Sequence, residues 1–327
     1  MFSLEELEDA QRRIHAVFPG TPQYAWPLLA SRTGTEVWVK HENHTPTGAF
    51  KVRGGLIHLE RLAHSHPSLP GIISATRGNH GQSLAYAGRR FGIPVTIVIP
   101  LGNSIEKNAA MRAFGARLIE HGNDFDASRI EAMRMAGQEG LLFVPSFHPD
   151  LVLGVATWAF ELFRAVADLD AVYVPIGMGS GICGAIRTRD LLGLRTKIIG
   201  VQSTGAPAYA RSLAAGHPVQ TDEAVTHADG MATRIPDPAA FEIIRAGVSR
   251  IVTVTDDEIA SAIRAYWTDT HNLAEGAGAA PLAALLQEKT KMAGKRIGLP
   301  LCGGNIDLNL FRNWVEMPPT LAANLPL

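Results

Sequence analysis

The sequence predicts an α/β protein of two doubly wound lobes with parallel sheets and an active site between them. Three observations carry this. Short β-branched runs alternate with helical stretches along most of the chain, which is the pattern of βαβ units. Four strand-to-helix turns are crowded with glycine or polar side chains, as ligand-binding turns at the carboxyl ends of parallel strands are. The 327 residues, 46% apolar and 19% charged, are enough for two such cores.

The elements follow in order. Ser3 and Glu6 stand at capping-box spacing, so a first helix is expected over about 3–17. Pro22 and Pro27 mark an extended lead-in to a strand at Glu36-Val37-Trp38-Val39-Lys40. A helix is expected from about Gly48 to Ala63, with Thr47 as a possible cap. Strands are then predicted at 71–74, 95–99, 117–119 and 142–144, with helices over 79–91, 105–115 and 124–138 between them. A second series comprises strand 171–176, helix 182–192, strand 197–202, helix 206–215, strand 250–255, helices 256–271 and 278–292, and strand 296–301. No element is assigned across 148–170 or 216–249. The resulting division is a large domain of residues 1–55 and 148–327 and a small, mobile domain of residues 56–147.

Bulk composition excludes several classes. Lysine plus arginine is 30 against 31 acidic residues, so no net field recruits nucleic acid or an anionic membrane. Cys183 and Cys302 are too few for a disulfide framework and suit a reducing compartment. The acidic, amphipathic start is not a signal peptide, and the charge-free run 171–186 is broken by Pro175 and glycines, so a cytoplasmic protein without membrane contact is expected.

Function lies in the turns. In Pro46-Thr47-Gly48-Ala49-Phe50-Lys51-Val52-Arg53-Gly54-Gly55, Lys51 sits just inside a helix start. The macrodipole disfavours a cation there, and a partly desolvated lysine would have a lowered pKa and could work as a neutral amine; its plain alternative is a solvated surface residue. In Ser74-Ala75-Thr76-Arg77-Gly78-Asn79-His80-Gly81, glycines bracket polar donors at a helix N-terminus. That is either a carboxylate cradle or a loop capped by Asn79. Gly177-Met178-Gly179-Ser180-Gly181 follows a buried strand and opens a helix, which makes a phosphate-binding nest. It lacks the Gly-Lys-Ser/Thr of a nucleotide P-loop. A dinucleotide fingerprint is the rival, and with it a nicotinamide-dependent oxidoreductase. That fingerprint needs an acid about 20 residues on, where Gly200-Val201-Gln202 has none. In the fourth turn, Leu301-Cys302-Gly303-Gly304-Asn305, Cys302 is either an inert buried thiol or a ligand contact. No metal-ligand spacing involves either cysteine, and no metal is expected.

A lysine, a phosphate nest and a carboxylate cradle, all on βα turns, describe a site for a cofactor that has a phosphate and forms an imine. Pyridoxal 5'-phosphate meets that description. With these four motifs in order over nearly its whole length, the chain resembles the fold-type II pyridoxal-phosphate enzymes of the serine/threonine dehydratase (threonine ammonia-lyase) and serine racemase family, which share the tryptophan synthase β-like fold. The resemblance implies that Lys51 is the Schiff-base lysine, with Phe50 beside the cofactor ring and Asn79 on its phenolic oxygen. It implies that Gly177, Met178, Gly179, Ser180 and Gly181 wrap the phosphate. Cys302 would face the pyridine nitrogen and Glu275 would lie near the ring. Thr76, Asn79 and His80 would hold the substrate carboxylate, with Arg77 beside them. A homodimer is implied too.

The implied reaction is β-elimination from a β-hydroxy-α-amino acid to a 2-oxo acid and ammonia, with threonine or serine as the first expectation. The chain departs from the family pattern in three places. Where serine racemases carry a serine before Gly-Asn-His, this chain has Arg77, an always-protonated group that cannot act as a second base. Elimination without racemisation is therefore expected. Arg77 also admits a dianionic substrate such as 3-hydroxyaspartate, and a bulky one such as phenylserine is a further alternative. The positions that hold a divalent cation in some members fall near Gln202 and Ala208, neither an acid. The sequence ends at Leu327 without a C-terminal regulatory domain, so end-product control is not expected.

Overall fold

The computed structural model describes residues 1–316; the last part of the segment 148–327 lies outside the described residues. Helix α1 (Leu4–His15) starts at the expected capping box, with Ser3 and Glu6 bonded reciprocally. The lead-in is more structured than expected. It holds strand β1 (Gln23–Ala25) and helix α2 (Pro27–Thr33), whose Pro27 occupies the first turn, where no N–H is needed. Strand β2 (Glu36–His41) follows, then α3 (Lys51–Ser65). Helix α3 begins at Lys51, three residues later than expected, and Thr47 is not its cap. The Thr47 hydroxyl turns to the Ala49 carbonyl, and Thr45 bonds both the Ala49 N–H and its carbonyl, so this stretch is a side-chain-braced loop.

The next units are β3 (Ile72–Ala75), α4 (Asn79–Phe91), β4 (Val95–Ile99), α5 (Ile105–Ala113), β5 (Arg117–Glu120), α6 (Phe125–Glu139) and β6 (Leu142–Phe143). Helix α7 (Pro149–Ala165) fills the first unassigned stretch. It is buried on nearly every side from Leu151 to Phe163, so its sequence is apolar all round and shows no amphipathic period to read. Then come β7 (Ala171–Pro175), α8 (Ser180–Leu191), β8 (Lys197–Ser203), α9 (Ala208–Ala215), α10 (Pro238–Gly247), β9 (Arg250–Val254) and α11 (Asp256–Thr270). Helix α10 was also unassigned; Asp237 caps it and Pro238 opens it. The expected helix 278–292 is two, α12 (Gly276–Gln287) and α13 (Lys289–Met292), before β10 (Arg296–Leu301) and α14 (Leu308–Glu316).

The strands form a six-stranded sheet, order β1-β2-β10-β7-β8-β9, and a four-stranded sheet, order β5-β4-β3-β6. All pairings are parallel except that of the edge strand β1 with β2, so the larger sheet is mixed where parallel strands alone were expected. Helices α3 and α7 cross almost backbone to backbone. A Cβ on Gly54 would lie 2.8 Å from the Leu151 carbonyl oxygen, and one on Gly154 2.3 Å from that of Arg53. Glycine at both positions is what permits this approach.

Beneath that crossing lies a fully buried charge network. Arg53 donates to both Glu42 oxygens, at 2.7 and 2.9 Å, and to both Glu161 oxygens, at the same distances. Lys40 adds a 2.5 Å bond to Glu161. Two cations balance two carboxylates, the arrangement that lets charges stay in a core. The network ties β2, α3 and α7 together two residues beyond Lys51.

Candidate active site

The carboxyl ends of the two sheets face one cleft of about 840 Å³, open mouth included. Its wall contains Phe50, Lys51, Thr76, Arg77, Asn79, His80, the stretch Gly177–Gly181, Glu275 and Cys302. These residues, from four separate turns and, for Glu275, from the family resemblance, are brought together.

Lys51 is the first residue of α3 and half-buried. Its ammonium donates a 2.8 Å hydrogen bond to the Ser180 hydroxyl and lies 5.1 Å from the centre of the Phe50 ring. Burial lowers its pKa to about 8. The Phe50 N–H donates to the Cys302 carbonyl at 2.9 Å, which locks the lysine turn against the end of β10. Burial also raises the Cys302 thiol well above its ordinary range, so it stays a neutral thiol.

The turn from β7 into α8 has the shape of an anion nest. Gly179 adopts φ +98° at the cap position, and a Cβ on Gly177 would stand 2.2 Å from the Gly230 carbonyl oxygen. Only glycine fits there, and the chain can approach a ligand closely. The Met178 carbonyl accepts from the Tyr209 hydroxyl at 3.2 Å, which fixes the turn.

On the opposite side, α4 begins at Asn79 after Gly78. Asn79 does not cap the helix. Its amide N–H₂ donates to Glu275 at 2.5 Å, and its carbonyl oxygen accepts from Asn305 at 2.8 Å, so the side chain bridges the two sheets. The Thr76 hydroxyl accepts the Gly78 N–H and shapes the loop. His80 is buried, its Nε2 has no partner among the described residues, and burial followed by the nearby Lys51 charge lowers its pKa to about 3. It is a neutral ring at every working pH. Arg77 is half-buried in the same wall with its Nε unpartnered.

Sequence reasoning missed Lys107, Asp229 and Asn305. The Lys107 ammonium lies 2.6 Å from Asp229 and 3.3 Å from Glu275, reaching across from α5. Burial, with the Asp229 charge added to it, raises the Glu275 carboxyl. Nothing in Glu106-Lys107-Asn108 marks the lysine as other than a surface residue. Asn305 had a signal, its place after Gly303-Gly304 at a strand end. The structure also brings His58 beside His148 and Asp150, three potential metal ligands. Asp150 is already paired with Arg61, and its N–H donates to His148 Nδ1, so these groups satisfy one another.

The nest, the amine and the neutral thiol fit a phosphate-bearing aldehyde cofactor. A family profile for pyridoxal-phosphate dependent enzymes matches residues 16–303. The chain belongs to this pyridoxal-phosphate dependent enzyme family. It is 35% identical over 312 residues to an L-threonine ammonia-lyase of Thermotoga maritima, covering 95% of this chain and 77% of that one. It is 31% identical to an L-threo-3-hydroxyaspartate ammonia-lyase of a Pseudomonas species, over 96% and 98% of the two chains. The processed form of threonine deaminase isoform 2 from Solanum lycopersicum superposes with a TM-score of 0.86 at 29% identity, over 96% and 94% of the chains. As a pyridoxal-phosphate enzyme the chain needs no acid on the ribose side of residues 177–181, and the nicotinamide alternative is not favoured. No helix among the described residues is long and apolar enough to cross a membrane.

Proposed function

We propose that this pyridoxal-phosphate enzyme is an ammonia-lyase that converts a β-hydroxy-α-amino acid into a 2-oxo acid and ammonia. Threonine, which names the Thermotoga maritima relative, and serine are the first substrates to assay. The observation that carries the reading is the half-buried Lys51 amine, held beside Ser180 of the nest with its pKa lowered to about 8.

Bound pyridoxal phosphate supplies a carbonyl for the substrate's amino group and a conjugated ring that takes up the electron pair left at Cα. The chain's own residues do the rest. Gly177, Met178, Gly179, Ser180 and Gly181 hold the phosphate through N–H groups at the start of α8. Phe50, against Gly181, would lie beside the ring. Cys302, a neutral thiol, would be the partner of the ring nitrogen and would leave it unprotonated. Asn79, oriented by Glu275 and Asn305, would donate its remaining N–H to the ring's phenolic oxygen. Thr76, Asn79 and His80 surround the substrate carboxylate at the start of α4. Lys51, freed when the substrate binds, takes the Cα proton; with a pKa close to neutral it is suited to give it up again. The proton taken from Cα balances the one the β-hydroxyl needs to leave as water, and the enamine released takes up water to give the 2-oxo acid and ammonia. Arg77 stays protonated and cannot supply a second base, so the product forms without racemised substrate.

We also assign residues 1–55 and 148–327 to a large domain and 56–147 to a small one that moves when substrate binds, a division supported by the two separate sheets. A homodimer is supported by the exposed Tyr24, Leu28, Trp267 and Leu273, on neighbouring β1, α2 and the end of α11. The two buried, free cysteines support a cytoplasmic location. The test is direct. The purified protein is yellow, borohydride abolishes the visible band, and it releases 2-oxo acid from threonine or serine, whereas Lys51→Ala does neither. A colourless protein that still consumes these substrates would sink the reading.

A further inference from the structure

We infer that Arg77 is a specificity-determining residue that holds an anionic group at the end of the substrate's side chain. The preferred substrate is then a β-hydroxy amino acid with a second carboxylate, placed ahead of threonine and serine. The inference rests on the ammonia-lyase reading above and assigns its substrate class.

The charge distribution in the cleft motivates it. Lys107 is offset by Asp229 and Glu275. Lys51 is committed to the cofactor and the Cα proton. The phosphate is taken by the nest at the far end. Arg77 remains: a fixed positive charge in the cleft wall, with a buried Nε that has no hydrogen-bond partner and no ion pair among the described residues. A guanidinium cannot shed its proton to relieve that position. A buried donor without an acceptor is costly, and an anion brought by the substrate relieves the cost.

The α-carboxylate does not need this group. The first turn of α4, with Thr76, Asn79 and His80, already surrounds it, and a helix start offers its own unpaired N–H groups. Arg77 precedes that turn and, with Phe125 and Ala232, lines both the cleft and an adjoining cavity. That cavity is also lined by Asp124, Asp126, Asp222 and Glu223. Arg234 pairs with Asp124 and Asp126, each at 3.1 Å, and so does not compete for an anion. Within the cleft, Arg77 is then the positive group left open to an anion carried by the substrate's side chain. Threonine offers Arg77 a methyl group and serine a hydrogen, which leaves the guanidinium unpaired. A site built around such a donor discriminates strongly against a ligand that cannot satisfy it.

The test uses the holoenzyme with 3-hydroxyaspartate and threonine at fixed ionic strength, comparing wild type, Arg77→Ala and Arg77→Lys by 2-oxo acid release. Wild type should show the higher kcat/KM on 3-hydroxyaspartate. Arg77→Ala should raise KM for that substrate by about 10- to 100-fold, the loss of a charged hydrogen bond, and raise KM for threonine far less. Arg77→Lys should recover part of the loss. A readout without turnover compares calorimetric binding of aspartate and alanine, which lack the leaving group. Aspartate should bind wild type more tightly than alanine does, and Arg77→Ala should erase the difference. Equal losses on both substrates, or a wild type that turns over threonine and rejects 3-hydroxyaspartate, would overturn the inference and leave the ammonia-lyase reading standing. A protein with no visible band and no 2-oxo acid from either substrate would instead remove both.

Discussion

Lys51 and Ser180 are 129 positions apart in the chain and joined by a 2.8 Å hydrogen bond. The bond links the first turn of α3 to the first turn of α8, so the amine and the nest are held in one frame before any ligand arrives. Preorganisation of this kind matters because reacting groups must be placed within a fraction of an ångström to gain full advantage.

The lowered Lys51 pKa has a definite sign. Only the neutral amine attacks a carbonyl, and a depressed pKa makes neutral amine available at lower pH. Reconstitution of the cofactor-free protein with pyridoxal phosphate should therefore accelerate about tenfold per pH unit below pH 8 and level off above it. An ordinary lysine would level off only near 10.5. His80, held neutral, should add no inflection between about pH 5 and 8. Stopped-flow absorbance measures the rate; a plateau reached only above about pH 10 would contradict the assignment.

Arg53 neutralises two buried carboxylates, Glu42 and Glu161. Arg53→Met should cost about 3–5 kcal/mol, because both acids are left with less compensation in the core. Urea unfolding reports the loss. Arg53→Lys should recover only part of it, since an ammonium cannot reproduce the forked bonds.

Gly177→Ala puts a methyl group 2.2 Å from the Gly230 carbonyl oxygen. The turn must shift, at a cost of about 1–3 kcal/mol. Pyridoxal phosphate affinity should fall about tenfold or more, while the thermal midpoint of the cofactor-free protein falls by no more than roughly a few degrees. Fluorescence titration checks the affinity, and unchanged binding would remove this turn from the phosphate site.

Lys107→Met should leave Glu275 and Asp229 without their cation. The expected cost is about 3 kcal/mol, with Glu275 taking up a proton. Because Glu275 orients Asn79, kcat should fall as well. Asp229→Asn, which keeps the Lys107–Glu275 pair, should be milder in both thermal unfolding and turnover.

Much of this was legible before any coordinates. The alternation of strands and helices, the capping box at Ser3, the nest at 177–181 and the position of Lys51 all depend on local rules: period, caps, and glycine where a backbone must come close. What failed locally failed for a physical reason. Thr47 had the right residue type for a cap, but Thr45 and Thr47 were drawn to the Ala49 peptide. Helix α7 has no apolar stripe because it has no solvent face. Strand β1 and helix α2 are too short for a periodic signal.

By itself the sequence determined the fold class and which turns bring together glycines, polar donors or a lysine at a helix start, because each of these is set within a single βα unit. Only the tertiary structure decided which distant residues share the cleft. Lys107 and Asp229 look like surface charges until two sheets face each other; Asn305 acquires its role only by meeting Asn79. The unpaired state of Arg77 belongs to that second class too. Whether a charge is satisfied depends on every element packed around it, and no local pattern encodes that.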